Sequence, residues 1–159
     1  VKRRAGNVER EAVLRKFRPS LDNILYILHD LQDSNPQRYV SKEDLKVCAD
    51  YLQVPYSYVH SVASFYTMFS LKPRGRNIIR LCDSPPCYLM GSTSLLDYLK
   101  TSLGIDIGTT TSDGAFTLET TSCLGACGVA PAMMLNDEMF GNLTPEKIDA
   151  ILENRRKEL

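Results

Sequence analysis

Neither sign of charge predominates in this sequence of 159 residues: 19 Lys and Arg balance 19 Asp and Glu, for a formal net charge of zero. The chain therefore lacks the global field that would draw it to nucleic acid or to an anionic membrane. Long apolar runs are missing too. The longest span a few residues, such as Ile24-Leu-Tyr-Ile-Leu28, against the roughly 20 that a membrane helix needs, so no direct membrane insertion is expected. The first thirty residues hold no apolar block followed by a small-residue cleavage site. With no secretory signal visible, a cytoplasmic location is the default, and there cysteines are reduced or metal-bound rather than paired in disulfides. No G-x-G-x-x-G follows a strand and no Walker-type loop is present, so no nucleotide site is visible. Histidine is scarce: His29 lies beside the apolar stripe of a helix and His60 at a helical surface position. Neither has a partner spaced for metal binding or acid–base work. What remains, at 43% hydrophobic and 24% charged, is globular composition at a length for one ordinary domain or two small ones.

The balanced charge is unevenly spread. Residues 1–18 form a basic arm with Lys2, Arg3, Arg4, Arg10, Arg15, Lys16 and Arg18 against Glu9 and Glu11, and Lys72, Arg74, Arg76 and Arg80 make a second basic cluster. From residue 101 to 153 the balance reverses, with Lys147 the single cation. Such runs are solvated faces of opposite sign, or they orient a polar molecule on a partner. Val13, Leu14 and Phe17 give the arm an apolar face that needs a neighbour, which points to a docking element.

Up to about residue 75 the pattern is helical. Residues 20–32 place Leu21, Ile24, Leu25, Leu28 and Leu31 on one stripe. Ser41-Lys-Glu-Asp44 has the form of a capping box and opens a helix with Leu45, Cys48, Ala49 and Leu52 on its apolar face. Pro55 suits the first turn of a further helix whose stripe is Val59, Val62, Ala63 and Tyr66. Lys72-Pro-Arg-Gly75 breaks the pattern and divides a helical domain, residues 1–75, from a second domain, residues 76–159. In the latter, residues 77–82 (NIIRLC) read as a strand and residues 88–103 as a helix bearing Leu95, Leu96, Leu99 and Leu103. Asp113-Gly114 marks a hairpin-type turn before a strand at 115–120. Residues 132–136 and 139–141 flank a tight Asp137-Glu138 turn, and Thr144-Pro145 caps a last helix with Ile148, Ile151 and Leu152. Strand, helix, strands, helix suggests a small α/β layer structure, a sheet covered by two helices.

Four cysteines carry the chemistry. Cys82 and Cys87 are separated by Asp83-Ser-Pro-Pro86, and Cys123 and Cys127 by Leu124-Gly-Ala126. Both pairs follow expected strands, in loops that Pro85, Pro86 and Pro131 stiffen, and a rigid loop loses less entropy on binding metal. The amides of Gly125, Ala126 and Gly128 are placed to donate to sulfur, a lever on reduction potential. Four thiolates in two pairs satisfy a 2Fe–2S cluster. They also satisfy structural zinc, or two disulfides. The four-residue gap after Cys82 favours iron, since zinc sites more often use the shorter turn. Cys48, on the apolar face of a helix, reads as a buried structural thiol. Met133, Met134 and Met139 read as hairpin core or interface.

Val62-Ala-Ser-Phe-Tyr-Thr-Met-Phe69, Pro73-Arg-Gly75, Cys82-x4-Cys87 with Gly91, and Thr109-x3-Asp113-Gly114 with Phe116-Thr-Leu118 carry a further signal. It continues through Cys123-Leu-Gly-x-Cys127, Ala130-Pro131, Asn136-Asp137 and Gly141-Asn-Leu-Thr144. In these stretches the chain resembles the thioredoxin-like 2Fe–2S subunits of NADH dehydrogenases. That family also serves NAD(P)-linked and electron-bifurcating hydrogenases and some NAD-dependent formate dehydrogenases. Ser64 stands where relatives often have Thr, and Phe140 where Tyr is common; neither is a ligand position. The resemblance implies an α+β or α/β chain, an N-terminal helical bundle followed by a thioredoxin-like 2Fe–2S ferredoxin domain. It implies Cys82, Cys87, Cys123 and Cys127 as ligands of one 2Fe–2S cluster, with no catalytic residue. FMN and NAD(P) would belong to a partner, a flavin- and NAD(P)-binding iron–sulfur subunit accompanied by further electron-transfer and catalytic subunits.

The expected function is one-electron transfer beside that flavin. Residues 70–75 and 82–87 look closer to versions from soluble anaerobic oxidoreductases, such as an electron-bifurcating hydrogenase, with the complex I small subunit as the alternative. Two further classes stand beside it. Helices near 42–52 and 56–66 resemble a helix-turn-helix, but the would-be recognition helix from Pro55 to Tyr66 has no Lys or Arg, and phosphate contacts need cations. A redox-silent zinc adaptor would be colourless.

Overall fold

The structure, a computed structural model, describes residues 10–157; the rest of the basic arm, residues 1–9, lies outside the described residues. The chain forms two compact units, one running to Pro73 and the other beginning at Arg74.

In the first unit residues 10–14 are helical. Val13 and Leu14 are buried in the unit's own core and Phe17 packs against it. The apolar face expected to need a docking partner finds its neighbour within the chain. Arg10 pairs with Asp44, the Tyr51 hydroxyl donates to the Phe17 carbonyl, and Lys16 Nζ lies 2.8 Å from Asp30. A 3₁₀ turn at Leu21–Asn23 leads into α1, Ile24–Ser34. Leu21 leaves the expected stripe and is exposed, because the tighter 3₁₀ winding rotates it away from the face that buries Ile24, Ile27, Leu28 and Leu31.

Helix α2, Lys42–Leu52, starts on a reciprocal capping box. The Asp44 amide donates to Ser41 Oγ at 3.2 Å, and the Ser41 amide donates to the Asp44 carboxylate at 2.8 Å. Leu45, Cys48, Ala49 and Leu52 are buried, and desolvation pushes the Cys48 thiol up to about 12. Helix α3, Tyr56–Phe65, has Pro55 at its N-cap rather than in its first turn. Val59 and Ala63 face the core, whereas Tyr66 is the extended C-cap and stays exposed, so it does not continue the stripe.

The second unit is mixed α/β around a four-stranded sheet ordered β2-β1-β3-β4. Its strands are β1, Asn77–Cys82; β2, Phe116–Thr121; β3, Met133–Leu135; and β4, Glu138–Phe140. β2 runs parallel to β1, while β3 is antiparallel to both β1 and β4. The single helix expected over 88–103 is two: α4, Pro85–Leu89, and α5, Ser92–Leu103. Gly91 separates them at φ 91°, a left-handed conformation that its missing Cβ permits. Both halves keep apolar residues at helical spacing, so periodicity alone could not reveal the break. The β3–β4 turn is Asn136-Asp137, one residue earlier than expected, with Asn136 at φ 54°. Helix α6, Pro145–Lys157, closes the unit.

Alternation sends Ile79, Leu81, Phe116, Leu118, Met133 and Leu135 into one core, which α5 and α6 complete with Leu95, Leu99, Ile148 and Leu152. The intervening positions bring Arg80 and Glu119 together across β1 and β2. Glu119 accepts from Arg80 at 3.1 Å and from the nearly buried Arg74 at 3.2 Å. No helix among the described residues is long and apolar enough to cross a membrane.

Candidate iron–sulfur site

The register of the parallel pair fixes where the thiols lie. Cys82, the last residue of β1, stands opposite Thr121, the last of β2, so both strands release their loops at the same end of the sheet. On the other side of β1 the Cys82 amide donates to the Ala132 carbonyl at 3.0 Å, just ahead of antiparallel β3. The segment from 122 to 132 therefore leaves one neighbour of β1 and returns on the other, passing the strand's end. It carries Cys123 and Cys127 past Cys82. The Asp83 amide, donating to the Thr121 carbonyl at 3.0 Å, ties the two loops where they begin.

Helix α4 supplies the second thiol. Pro85 and Pro86 occupy its first two positions, where a missing N–H costs nothing, and Cys87 is the third residue, still in the first turn. Cys82 and Cys87 are buried in a small cluster with Ala130 and Ala132, against which Leu124 and Ala126 pack. Cys123 and Cys127 are exposed, with their sulfurs 3.9 Å apart. Cys127 begins a 3₁₀ turn, Cys127–Val129, ahead of a cis Ala130–Pro131 peptide. That turn is pinned from β4's exit: the Asn142 amide donates to Val129 O and the Leu143 amide to Pro131 O at 3.2 Å. A Cβ at Gly141 would collide with Val129 Cγ2 and lie 2.7 Å from the Val129 carbonyl oxygen. Gly141 belongs to the site's support, a role that sequence spacing did not reveal.

The electrostatics link the four sulfurs. Burial pushes the Cys82 thiol up, but the amide of Ser84, the Cys87 thiol and the amide of Leu124 more than offset it, and the net shift is downward. Burial raises Cys87, and the neighbouring charges of Cys82 and Cys127 raise it further, against a hydrogen bond from the Ala132 backbone. Cys127 is raised first by its hydrogen bond with Cys123 and then by that neighbour's charge. Of the amides expected to donate, that of Gly125 reaches Cys123 Sγ at 3.4 Å. The donors from Ser84 and Leu124 were not foreseen, because they depend on how the loops meet rather than on residue type.

Among the described residues no three His, Cys, Asp or Glu side chains converge as a single-ion site. Cys123 and Cys127 make one close pair and Cys82 and Cys87 share a hydrogen bond, and four thiolates are by their chemistry a donor set that suits a 2Fe–2S cluster. The family described as thioredoxin-like [2Fe-2S] ferredoxin matches residues 10–156. This chain belongs to that family. Membership brings a 2Fe–2S cluster as its cofactor, and the thiol pairs fit one. A subunit of the NADH-quinone oxidoreductase of Rhizobium meliloti (strain 1021) is 48% identical over 112 residues, 70% of this chain and 67% of the relative. The NADP-reducing hydrogenase subunit HndA of Solidesulfovibrio fructosivorans is 35% identical over 130 residues, 82% and 75% of the two chains. A solved NAD+-reducing [NiFe]-hydrogenase in the H2-reduced state shares the fold, with a TM-score of 0.78 at 23% identity over 89% of this chain. The present chain spans 23% of that hydrogenase chain.

Proposed function

We propose that this thioredoxin-like ferredoxin is the one-electron-transfer subunit of a multisubunit NAD(P)H-dependent oxidoreductase, with Cys82, Cys87, Cys123 and Cys127 as the cluster's ligands. The helical domain extends to about residue 75 and the cluster domain follows it. The assembly is cytoplasmic, and its flavin and nucleotide sites lie in a partner iron–sulfur flavoprotein.

The carrying observation is the β1–β2 register, which starts both cysteine loops at one end of the sheet. Bound there, a 2Fe–2S cluster supplies single-electron transfer with no open iron position for substrate. The chain's own residues do the rest. The amides of Ser84, Leu124 and Gly125 donate toward thiolates, which stabilises added negative charge. Cys82 and Cys87 shut water out on one side, and Cys123 and Cys127 leave the other side open.

Two settings are supported equally by the relatives. Kinship with the hydrogenase protein favours a soluble NAD(P)-linked complex, including an electron-bifurcating hydrogenase, and kinship with the Rhizobium protein favours an NADH:quinone oxidoreductase. Anaerobic purification with identification of companion chains separates them: an iron hydrogenase selects the first, and membrane subunits the second. This chain, purified by itself under the same anaerobic conditions, tests the ligands. We expect about two irons and two sulfides per chain and a paramagnetic signal on reduction. Serine at any of the four positions should lower the cluster content or change that signal, whereas Cys48→Ser should do neither. A folded, colourless, iron-free protein would overturn the reading.

A further inference from the structure

The segments that carry Cys87, Cys123 and Cys127 are uncharged. From Ser84 to Leu96 and from Thr120 to Asn136 there is no Asp, Glu, Lys, Arg or His. Asp83, directly after Cys82, is exposed, so water and salt screen its field. Within the sheet, the charges closest in register to Cys82 are Arg80 on β1 and Glu119 opposite it on β2. Ile79 and Leu81 face the core, so Arg80 and Cys82 share the other face, with α-carbons about 7 Å apart by the rise of a strand. This pair is held more firmly than strand pairing requires. Arg74, ahead of β1, engages one Glu119 oxygen while Arg80 engages the other, and the Arg80 and Glu119 side chains are only 23% and 25% exposed.

Resting on the function and ligands proposed above, we propose that Arg80 tunes the reduction potential of the bound 2Fe–2S cluster. It is a fixed cation one alternation from Cys82 that favours the reduced state, while Glu119 anchors it and moderates its field. Each electron adds negative charge to a group that is already anionic, and net charge and burial are levers on such potentials. The separation is comparable with the screening length at physiological salt, and partial burial weakens that screening further. A guanidinium stays protonated at any working pH, so its field does not vary. The second arginine matters for the same reason. One guanidinium suffices for a cross-strand ion pair, whereas Arg74 and Arg80 together occupy both carboxylate oxygens and hold the charges where they are. Charges that need not reorganise act fully at the moment the electron arrives.

The test is a mediated redox titration of the full cluster-bearing chain, followed by visible absorbance and electron paramagnetic resonance, with thermal unfolding measured alongside. At the wild-type midpoint, Arg80→Gln should lower the ratio of reduced to oxidised cluster about threefold to tenfold, a shift of about 30–60 mV for one electron. Arg80→Lys keeps the charge and should stay within about twofold of wild type. Glu119→Gln removes the opposing charge and should raise the ratio by more than about twofold, and the double variant Arg80→Gln with Glu119→Gln should return close to wild type. Lys100→Gln, near the far end of α5 where Lys100 pairs with Asp106, should change nothing. A pair that serves only the fold would lower thermal stability in both single variants without moving the midpoint, or would move it the same way in both. Either result overturns the tuning role and leaves the electron-transfer function standing. Should Arg80→Gln lose its cluster, Glu119→Gln decides alone, and a midpoint that fails to rise overturns the proposal. A folded, iron-free wild-type chain overturns the ligand assignment and the tuning role together.

Discussion

Gly141 has no reactive group, yet it sets how closely β4's exit approaches the turn that begins at Cys127. Added volume there meets both a side chain and a backbone carbonyl of Val129, and a carbonyl in a pinned turn cannot swing aside as a flexible side chain does. Gly141→Ala should therefore cost about 1–3 kcal/mol. The cluster should also be lost faster to a chelator, because the displaced turn begins at Cys127, one of the proposed ligands. Thermal unfolding and the decay of visible absorbance would measure the two effects; wild-type values in both would show that the turn simply shifts. At this scale the sequence was informative about chemistry and silent about support. Two cysteine pairs beside prolines were visible because proline and thiol chemistry are local, but Cys82 ends β1 and Cys87 lies in α4 rather than in a loop. The pressure of Val129 on Gly141 and the donation from Leu124 to Cys82 arise between residues brought together only by folding.

At the scale of elements, the Ser41–Asp44 box was legible because its four residues contain both halves of the hydrogen-bond exchange. Ser41→Ala removes the acceptor for the Asp44 amide and should destabilise the first unit by about 1 kcal/mol, within the usual range of N-cap deletions. Chemical denaturation would check this, and an unchanged midpoint would mean that Arg10 and the remaining Asp44 bond suffice. The β1 strand was equally clear, since NIIRLC is short, β-branched and bounded by a turn. Less clear were elements that end through conformation rather than composition. Gly91 splits a continuous helical pattern, and Asn136 moves the hairpin turn by one residue because it adopts the left-handed region itself. Tyr66 kept the helical period while the backbone had already turned to extended form.

For the molecule as a whole, the chain divides between Pro73 and Arg74 into two compact units with separate cores. Each unit buries its own apolar side chains, and all four candidate ligands lie in the second. Residues 74–159 produced alone should therefore fold and retain iron, and the intact chain should melt in two steps on calorimetry. A single sharp transition, or an iron-free fragment, would show that the units depend on one another. What the sequence could not supply was the pairing of strands distant along the chain. Nothing in either segment alone says that residue 82 will stand beside residue 121.

That pairing has an evolutionary consequence. Gathering every sulfur at one rim, on a strand's last residue, a short helix and a loop, leaves the rest of the layer free to keep its pattern while that rim is rewritten. Insertions or polar replacements there can retune redox behaviour or choice of associate without a redesign of the scaffold, so one framework can serve machines with very different terminal chemistry.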